Sequence, residues 1–256
     1  METETLQKID LNCDMGELHP ITGLNFDEEI MPYISSCNVC CGLHSGSLLL
    51  SEQTVRLAHK HKVAIGAHPS YNDKENFGRI TPKIDLETLI KELKQQIISI
   101  QKMTENIGLS LNHIKPHGAL YNDLAKDKNL SLMFIDIVKE IGPSTKVYGM
   151  ANSIFEKTCQ ENKINFVSEV FADRTYATRN QLRSRQNEGS VIHSKSEILQ
   201  QVDTLINGTI IDFEGNQHKV CADTICLHSD TEGAIALAKH INEHLKSKGV
   251  AILPIR

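Results

Sequence analysis

The chain contains no tryptophan, an absence that by itself excludes nothing, but its other absences are more decisive. No apolar run approaches the roughly 20 residues of a membrane span, so no membrane role is expected. The opening residues METETLQKID lack the charged-then-apolar layout of a secretory signal. There is no excess of positive charge: 27 Lys and Arg stand against 32 Asp and Glu, a net charge of −5. That balance argues against nucleic-acid binding, which wants a basic surface. No G-x-G-x-x-G favours a dinucleotide fold, and no G-x-x-x-x-G-K-[ST] provides a phosphate loop. No G-x-S-x-G supports a serine hydrolase. Cys37-x-x-Cys40 has no second pair to complete a four-thiolate zinc site. The 7 cysteines, odd in number and without a signal, point to reduced thiols in the cytoplasm.

What is present is an ordinary soluble composition, 40% hydrophobic and 23% charged, in a chain long enough for one large core. Strands are expected over 9–14, 39–43, 63–67, 111–115, 146–150, 164–171, 223–227 and 250–253. Helices are expected over 26–34, from a Ser51 cap to His61, and over 86–107, 130–140, 154–162 and 232–246. The 86–107 helix is the clearest, with Leu86, Leu89, Ile90, Leu93 and Ile97 at helical spacing and Asp85 at its N-cap. Alternating strands and helices imply a parallel sheet with right-handed crossovers. Seven or eight such units make a closed or nearly closed (β/α) barrel, a single domain over 1–256, with an open doubly wound sheet as the alternative. The long irregular stretch 173–195, with Arg174, Arg179, Arg183 and Arg185, exceeds an ordinary connection and is a candidate lid or interface loop.

Polar residues recur at the expected strand ends: Asp14 and Glu17, His44, His68, His117, Asp173, then His228 with Asp230. In a barrel these converge on the C-terminal mouth, where active sites sit. Histidine with carboxylate serves either a divalent metal or general acid–base chemistry. Lys115 beside His117 suits a carboxylate or phosphate ligand, Asn122 is placed to donate to that ligand, and Arg174 is the arginine best placed for an anion. His59, His61, His240 and His244 fall on helix faces or near the C-terminus and read as surface residues.

With these residues in hand, the chain resembles the LamB/YcsF family, that of the A subunits of bacterial ATP-dependent 5-oxoprolinases. The resemblance rests on the run Asp10-Leu11-Asn12-Cys13-Asp14-Met15-Gly16-Glu17, on 36–44, and on Gly66-Ala67-His68-Pro69-Ser70 with Asn76-Phe77-Gly78-Arg79. It continues through Lys115-Pro116-His117-Gly118-Ala119-Leu120-Tyr121-Asn122, Glu169–Arg174, and Cys226-Leu227-His228 with Asp230. It implies a glycoside hydrolase/deacetylase-type (β/α) barrel that cleaves the lactam of 5-oxo-L-proline to L-glutamate with ATP hydrolysis, alongside B and C subunits. On that footing Asp14, His44, His68 and His117 are the expected catalytic residues. Asn12, Glu17, Lys115, Asn122, Asp173, Arg174, His228 and Asp230 are expected at the substrate. Asp14, His44 and His68 are the expected ligands of any divalent metal.

Two departures matter. Chains of the family usually read H-A-G-D where this one has His44-Ser45-Gly46-Ser47, which removes a candidate carboxylate. Alanine is usual at 37 and 40, so Cys37 and Cys40 are expected to be packing residues. Other readings are a stand-alone metal-dependent deacetylase or amidohydrolase, and a non-catalytic ligand-binding paralogue suggested by Ser47. Self-association is compatible with any of these readings.

Overall fold

The computed structural model describes residues 7–19, 21–229 and 233–255. Its organising element is β1 (Lys8–Met15), fully buried after its first residue. Along it Ile9, Leu11, Cys13 and Met15 join the apolar cluster, while Asp10, Asn12 and Asp14 bond to residues of other strands across the barrel. Side chains alternate across a strand, so β1 gives its apolar edge to the helices and its polar edge to the lumen. Most parallel strands are apolar on both faces; here the alternation shows that the barrel interior is polar.

The parallel sheet continues through β2 (Ser36–Cys40), β3 (Ala64–His68), β4 (His113–Ile114), β5 (Lys146–Met150) and β6 (Phe166–Phe171). Two antiparallel hairpins follow, β7 (Tyr176–Thr178) with β8 (Gln181–Leu182), and β9 (Thr209–Ile211) with β10 (Gln217–Lys219). Then β11 (Thr224–Leu227) pairs with both β6 and β1 and closes the barrel. A last strand, β12 (Ala251–Ile252), pairs in parallel with the start of β1. The closed ring thus takes seven of the eight strands in the sheet.

Around it lie α1 (Asp27–Ile30), running on into a 3-10 turn, α2 (Leu48–His61), α3 (Leu86–Glu105), α4 (Gly118–Leu124), α5 (Lys128–Ile141), α6 (Ile154–Glu161), α7 (Lys195–Ile206) and α8 (Ala234–Ser247). In α3, Leu89, Leu93, Ile97 and Ile100 are buried against the barrel, each contributing about 1.5–3 kcal/mol. Asp85 caps it by accepting from the Thr88 N–H at 2.9 Å. Among the described residues no helix is long and apolar enough to cross a membrane.

The structure differs from the sequence expectations at several joints. β2 starts at Ser36 and ends at Cys40, because Gly42, at φ 84°, turns the chain before residue 43. Ser47, not Ser51, caps α2: its hydroxyl accepts from the Leu50 N–H at 3.2 Å, whereas the Ser51 hydroxyl donates to the Cys40 carbonyl at 2.6 Å. β4 shrinks to two residues. Helices α4 and α7 were not anticipated, and the 173–195 stretch holds the β7–β8 hairpin. All seven cysteines are free, and all but Cys221 are buried.

Candidate active site and metal centre

The C-terminal ends of the strands carry the polar residues to one mouth. β1 delivers Asp14 and, past Met15 and Gly16, Glu17. β3 ends on His68, β4 leads to Lys115 and His117, and Asp173 and His228 follow β6 and β11. Loops lock these ends together: the Leu18 N–H donates to Ser45 Oγ at 2.9 Å, clipping the Glu17 turn to the His44 turn. Asp14, Glu17, His68, Lys115, His117 and His228 line one cavity of about 400 Å³.

Glu17, His44, His68 and His117 form a tight group whose facing ligand atoms all lie within 4.8 Å of one another. His44 Nε2 is 2.8 Å from Glu17 Oε1, and its Nδ1 is 2.8 Å from Ser70 Oγ. Gln96 of α3 grips Ser70 from behind, accepting from its N–H and donating to its carbonyl, both at 2.9 Å. His68 Nδ1 donates to the Lys115 carbonyl at 2.7 Å, and His117 Nε2 donates to the Phe77 carbonyl at 2.9 Å. Those two carbonyls fix the tautomers. The remaining ring nitrogens, His68 Nε2 and His117 Nδ1, face each other at 3.0 Å. Glu17 Oε1 stands 3.9 Å from the first and 3.6 Å from the second.

Ring nitrogens and a carboxylate oxygen converging in this way are held together by a cation among them, a metal ion or a shared proton. A tetrahedral ion with bonds of about 2.1 Å would space its ligand atoms by about 3.4 Å, within the observed range of separations. Burial first, then the neighbouring histidines, hold His44 and His117 well below the usual imidazole range, so they present neutral rings. The group fits a divalent metal. It differs from the expected set, because Glu17 and His117 belong to it and Asp14 does not.

Phe77 and Gly78 shape this group from above. Phe77 sits at φ 56°, unusual for a bulky residue, which points its carbonyl at His117 while its ring lies edge-on to His44 and His117. A Cβ on Gly78 would stand 2.9 Å from both His117 Cδ2 and His44 Cβ. Those two rings stack at 3.7 Å, and only glycine leaves them that room.

Asp14 belongs to a second network. Its Oδ1 accepts from Asn38 Nδ2 at 2.8 Å and from Lys115 Nζ at 2.9 Å, and its Oδ2 is 3.3 Å from His68 Nε2. Burial alone would raise its pKa, but His68 and Lys115 outweigh this and hold the carboxyl well below the usual range. The Lys115 ammonium is fully engaged, reaching Asn12 Oδ1 at 3.2 Å, Glu169 Oε1 at 2.9 Å and Cys226 Sγ at 3.0 Å besides Asp14. It also lines the cavity where the sequence reading expects an anion. Asn12 is buried beneath the mouth, donating to Glu169 and Thr224, and it cannot reach a substrate.

Opposite the histidines, Asp173 receives His228 Nδ1 on both oxygens at 3.0 Å. That contact turns His228 Nε2 toward the cavity, with the residue's side chain 12% exposed. The pKa of Asp173 is lowered, since His228, then Arg185 and Arg174, overcome the effect of its burial. Gln201 of α7 donates to the carbonyls of Phe171, Ala172 and Arg174, fixing the turn that carries Asp173. Arg174, expected to bind an anion, lines the cavity, and its guanidinium also clamps the long loop by donating to the Arg183 carbonyl at 2.6 Å and the Ser190 carbonyl at 3.1 Å. The Asn122 amide donates back to the Gly118 carbonyl of its own helix at 3.0 Å. Asp230 lies outside the described residues.

Several contributors had no role assigned from the sequence: Asn38, Ser70, Phe77, Tyr121 and Glu169, which fall in the resembling runs, and Gln96 and Gln201, which do not. Gln96 left a signal, a polar residue inside the apolar stripe of α3. The cysteines expected to be packing residues are buried, and burial raises the Cys37 and Cys40 thiols above their ordinary range.

A profile of the LamB/YcsF family matches residues 9–256. The chain belongs to the LamB/YcsF family. It is 38% identical over 252 residues to the A subunit of 5-oxoprolinase from Geobacillus thermodenitrificans, covering 98% of each chain. The crystal structure of the lactam utilization protein from Thermus thermophilus superposes with a TM-score of 0.89 at 32% identity, covering 97% of this chain and 100% of that one. A family 4 carbohydrate esterase from Streptomyces lividans, at 12% identity and a TM-score of 0.50 over 98% of this chain and 93% of its own, shows the deacetylase-type barrel alone.

Proposed function

We propose that this LamB/YcsF chain is the lactam-cleaving A component of an ATP-dependent 5-oxoprolinase. It would open 5-oxo-L-proline to L-glutamate while ATP is hydrolysed to ADP and phosphate. The observation that carries this reading is the opposition, across one cavity, of a cation-shaped acceptor group and the carboxylate-backed His228. Full-length likeness to chains named as the A subunit of 5-oxoprolinase supports the choice of substrate.

A lactam amide resists water, and transfer of the γ-phosphoryl group to its oxygen, releasing ADP, makes a better electrophile; one water then opens the ring to glutamyl phosphate and a second releases phosphate and L-glutamate. With no phosphate-loop motif here, coupling to ATP is assigned to assembly with B and C subunits. Asp14, kept ionised, accepts the proton of the attacking water through Oδ2. His228, oriented by Asp173, gives a proton to the departing ring nitrogen. A divalent cation held by Glu17, His44, His68 and His117 would supply Lewis-acid polarisation of the reacting carbonyl. Arg79, Lys126, Arg183 and Arg185 line the cavity together with Lys115 and Arg174 and favour an anionic substrate.

Coexpression with B and C subunits followed by a glutamate-release assay tests the reading. Wild-type complex is expected to release glutamate only with ATP, and His44→Ala to lose at least about a hundredfold in rate. Unchanged cleavage by His44→Ala, or no gain over B and C alone, overturns it. The acceptor group itself favours a second reading, a stand-alone metal-dependent amidohydrolase. Amide cleavage by the purified, metal-loaded chain without partners or ATP would select that alternative.

A further inference from the structure

We infer that Tyr121 is a further catalytic residue of this centre, its phenolic hydroxyl donating a hydrogen bond to the oxygen of the reacting cyclic amide. The inference rests on the proposed lactam reading and adds a residue to it. Tyr121 sits in the first turn of α4, its N–H bonded to the His117 carbonyl at 3.2 Å. Its ring lies edge-on to Phe171, centroids 5.8 Å apart at 90°, so its orientation is fixed by packing. The residue is only 7% exposed, yet it lines the cavity with Lys115, His117 and His228.

Its hydroxyl is buried and meets no partner at full hydrogen-bond geometry, with the Glu169 carboxylate the acceptor beside it. Native proteins rarely leave such a group unpaired. The nearby Glu169 carboxylate is left in a matching state, with Oε2 also unpaired. Burial, then the charge of Glu169, push the phenol well above its ordinary range. The group therefore remains a donor at any working pH.

The neighbouring donors at the floor of the cavity are committed, while Arg79, Lys126, Arg183 and Arg185 line its walls. Lys115 holds Asn12, Asp14, Glu169 and Cys226. His117 Nε2 is spent on Phe77, His228 Nδ1 on Asp173, and Asn122 on its own helix. Tyr121 offers what they do not, a preorganised donor in a water-poor site. Such a donor stabilises the negative charge that gathers on the amide oxygen as it departs with phosphate.

Tyr121→Phe removes that one oxygen and keeps the ring. In the A–B–C assembly, kcat for glutamate release should fall about a hundredfold, with KM changed less than about threefold and the melting temperature unchanged. The limbs of the pH–rate profile should keep their positions, because the donor does not titrate in range. Titration calorimetry on the same assembly without ATP should show binding of 5-oxo-L-proline weakened by the variant by less than about threefold, in step with KM, and no change for L-proline, which lacks the ring carbonyl. A variant within twofold of wild type in kcat, or one weakened equally toward both ligands, overturns the role of Tyr121 while the lactam reading stands. A wild-type assembly that neither cleaves nor binds 5-oxo-L-proline overturns the lactam reading, and the role of Tyr121 falls with it.

Discussion

His44 owes its place to two residues that never touch the cavity. Gln96 holds both backbone groups of Ser70, and the Ser70 hydroxyl holds His44 Nδ1. Replacing Gln96 by Leu keeps the volume but strands a buried N–H and a buried carbonyl, at about 1–3 kcal/mol each. Urea unfolding should therefore show a loss of about 2–6 kcal/mol. Because partners behind a ligand orient it, metal affinity measured by competition with a chelator should also drop about 10–100-fold. A variant with wild-type stability would show that the Ser70 backbone finds other partners. At this scale the sequence was half legible. His44, His68, His117, Asp173 and His228 stood out because each closes an apolar run with a polar side chain. Their partners did not: Asp173 with His228, or Gln96 with Ser70, meet only when the barrel closes, and their separations along the chain carry no local signal.

The segment joining β2 to α2 shows how an element changes the meaning of a residue. From sequence, Ser47 marked a missing carboxylate. In the structure it is exposed, and its hydroxyl caps α2. Serine and aspartate are comparable N-caps, so the departure leaves the carboxylates of the centre, Asp14 and Glu17, in place. Ser47→Asp should leave metal content and activity as in wild type, with stability equal or raised by about 0.3–1 kcal/mol through the helix dipole. Ser47→Ala should cost about 1 kcal/mol. Thermal unfolding and metal analysis of the pair check this, and a gain in metal content for Ser47→Asp would return position 47 to the centre. Long periodic helices such as α3 were readable, because one apolar stripe and one cap determine them. The seven-residue α4 offered too few turns for a period to show, and β4 is set by pairing with β3 and β5 rather than by its own residues.

The whole molecule was recognisable as a barrel from the alternation of strands and helices, and its mouth from the polar strand ends. Alternation alone does not decide between seven and eight strands in the ring. The reason is physical: β12 has the apolar character of a barrel strand, but it pairs only with the first residues of β1, while β11 takes the closing position.

The polar lumen has a thermodynamic signature. Asp10 alone accepts from Ser35, Ser36, Tyr148 and Thr224 deep in the barrel, and His113 stacks on Tyr148 while bonding Asn38. Unfolding exposes these groups to water, and polar hydration lowers heat capacity where apolar hydration raises it. A chain of 256 residues ordinarily shows a heat-capacity increment of about 3–4 kcal/mol/K. Scanning calorimetry should place this barrel at or below the lower end of that range. Its stability curve would then be broad and shallow, changing little across the temperatures at which the mouth must work.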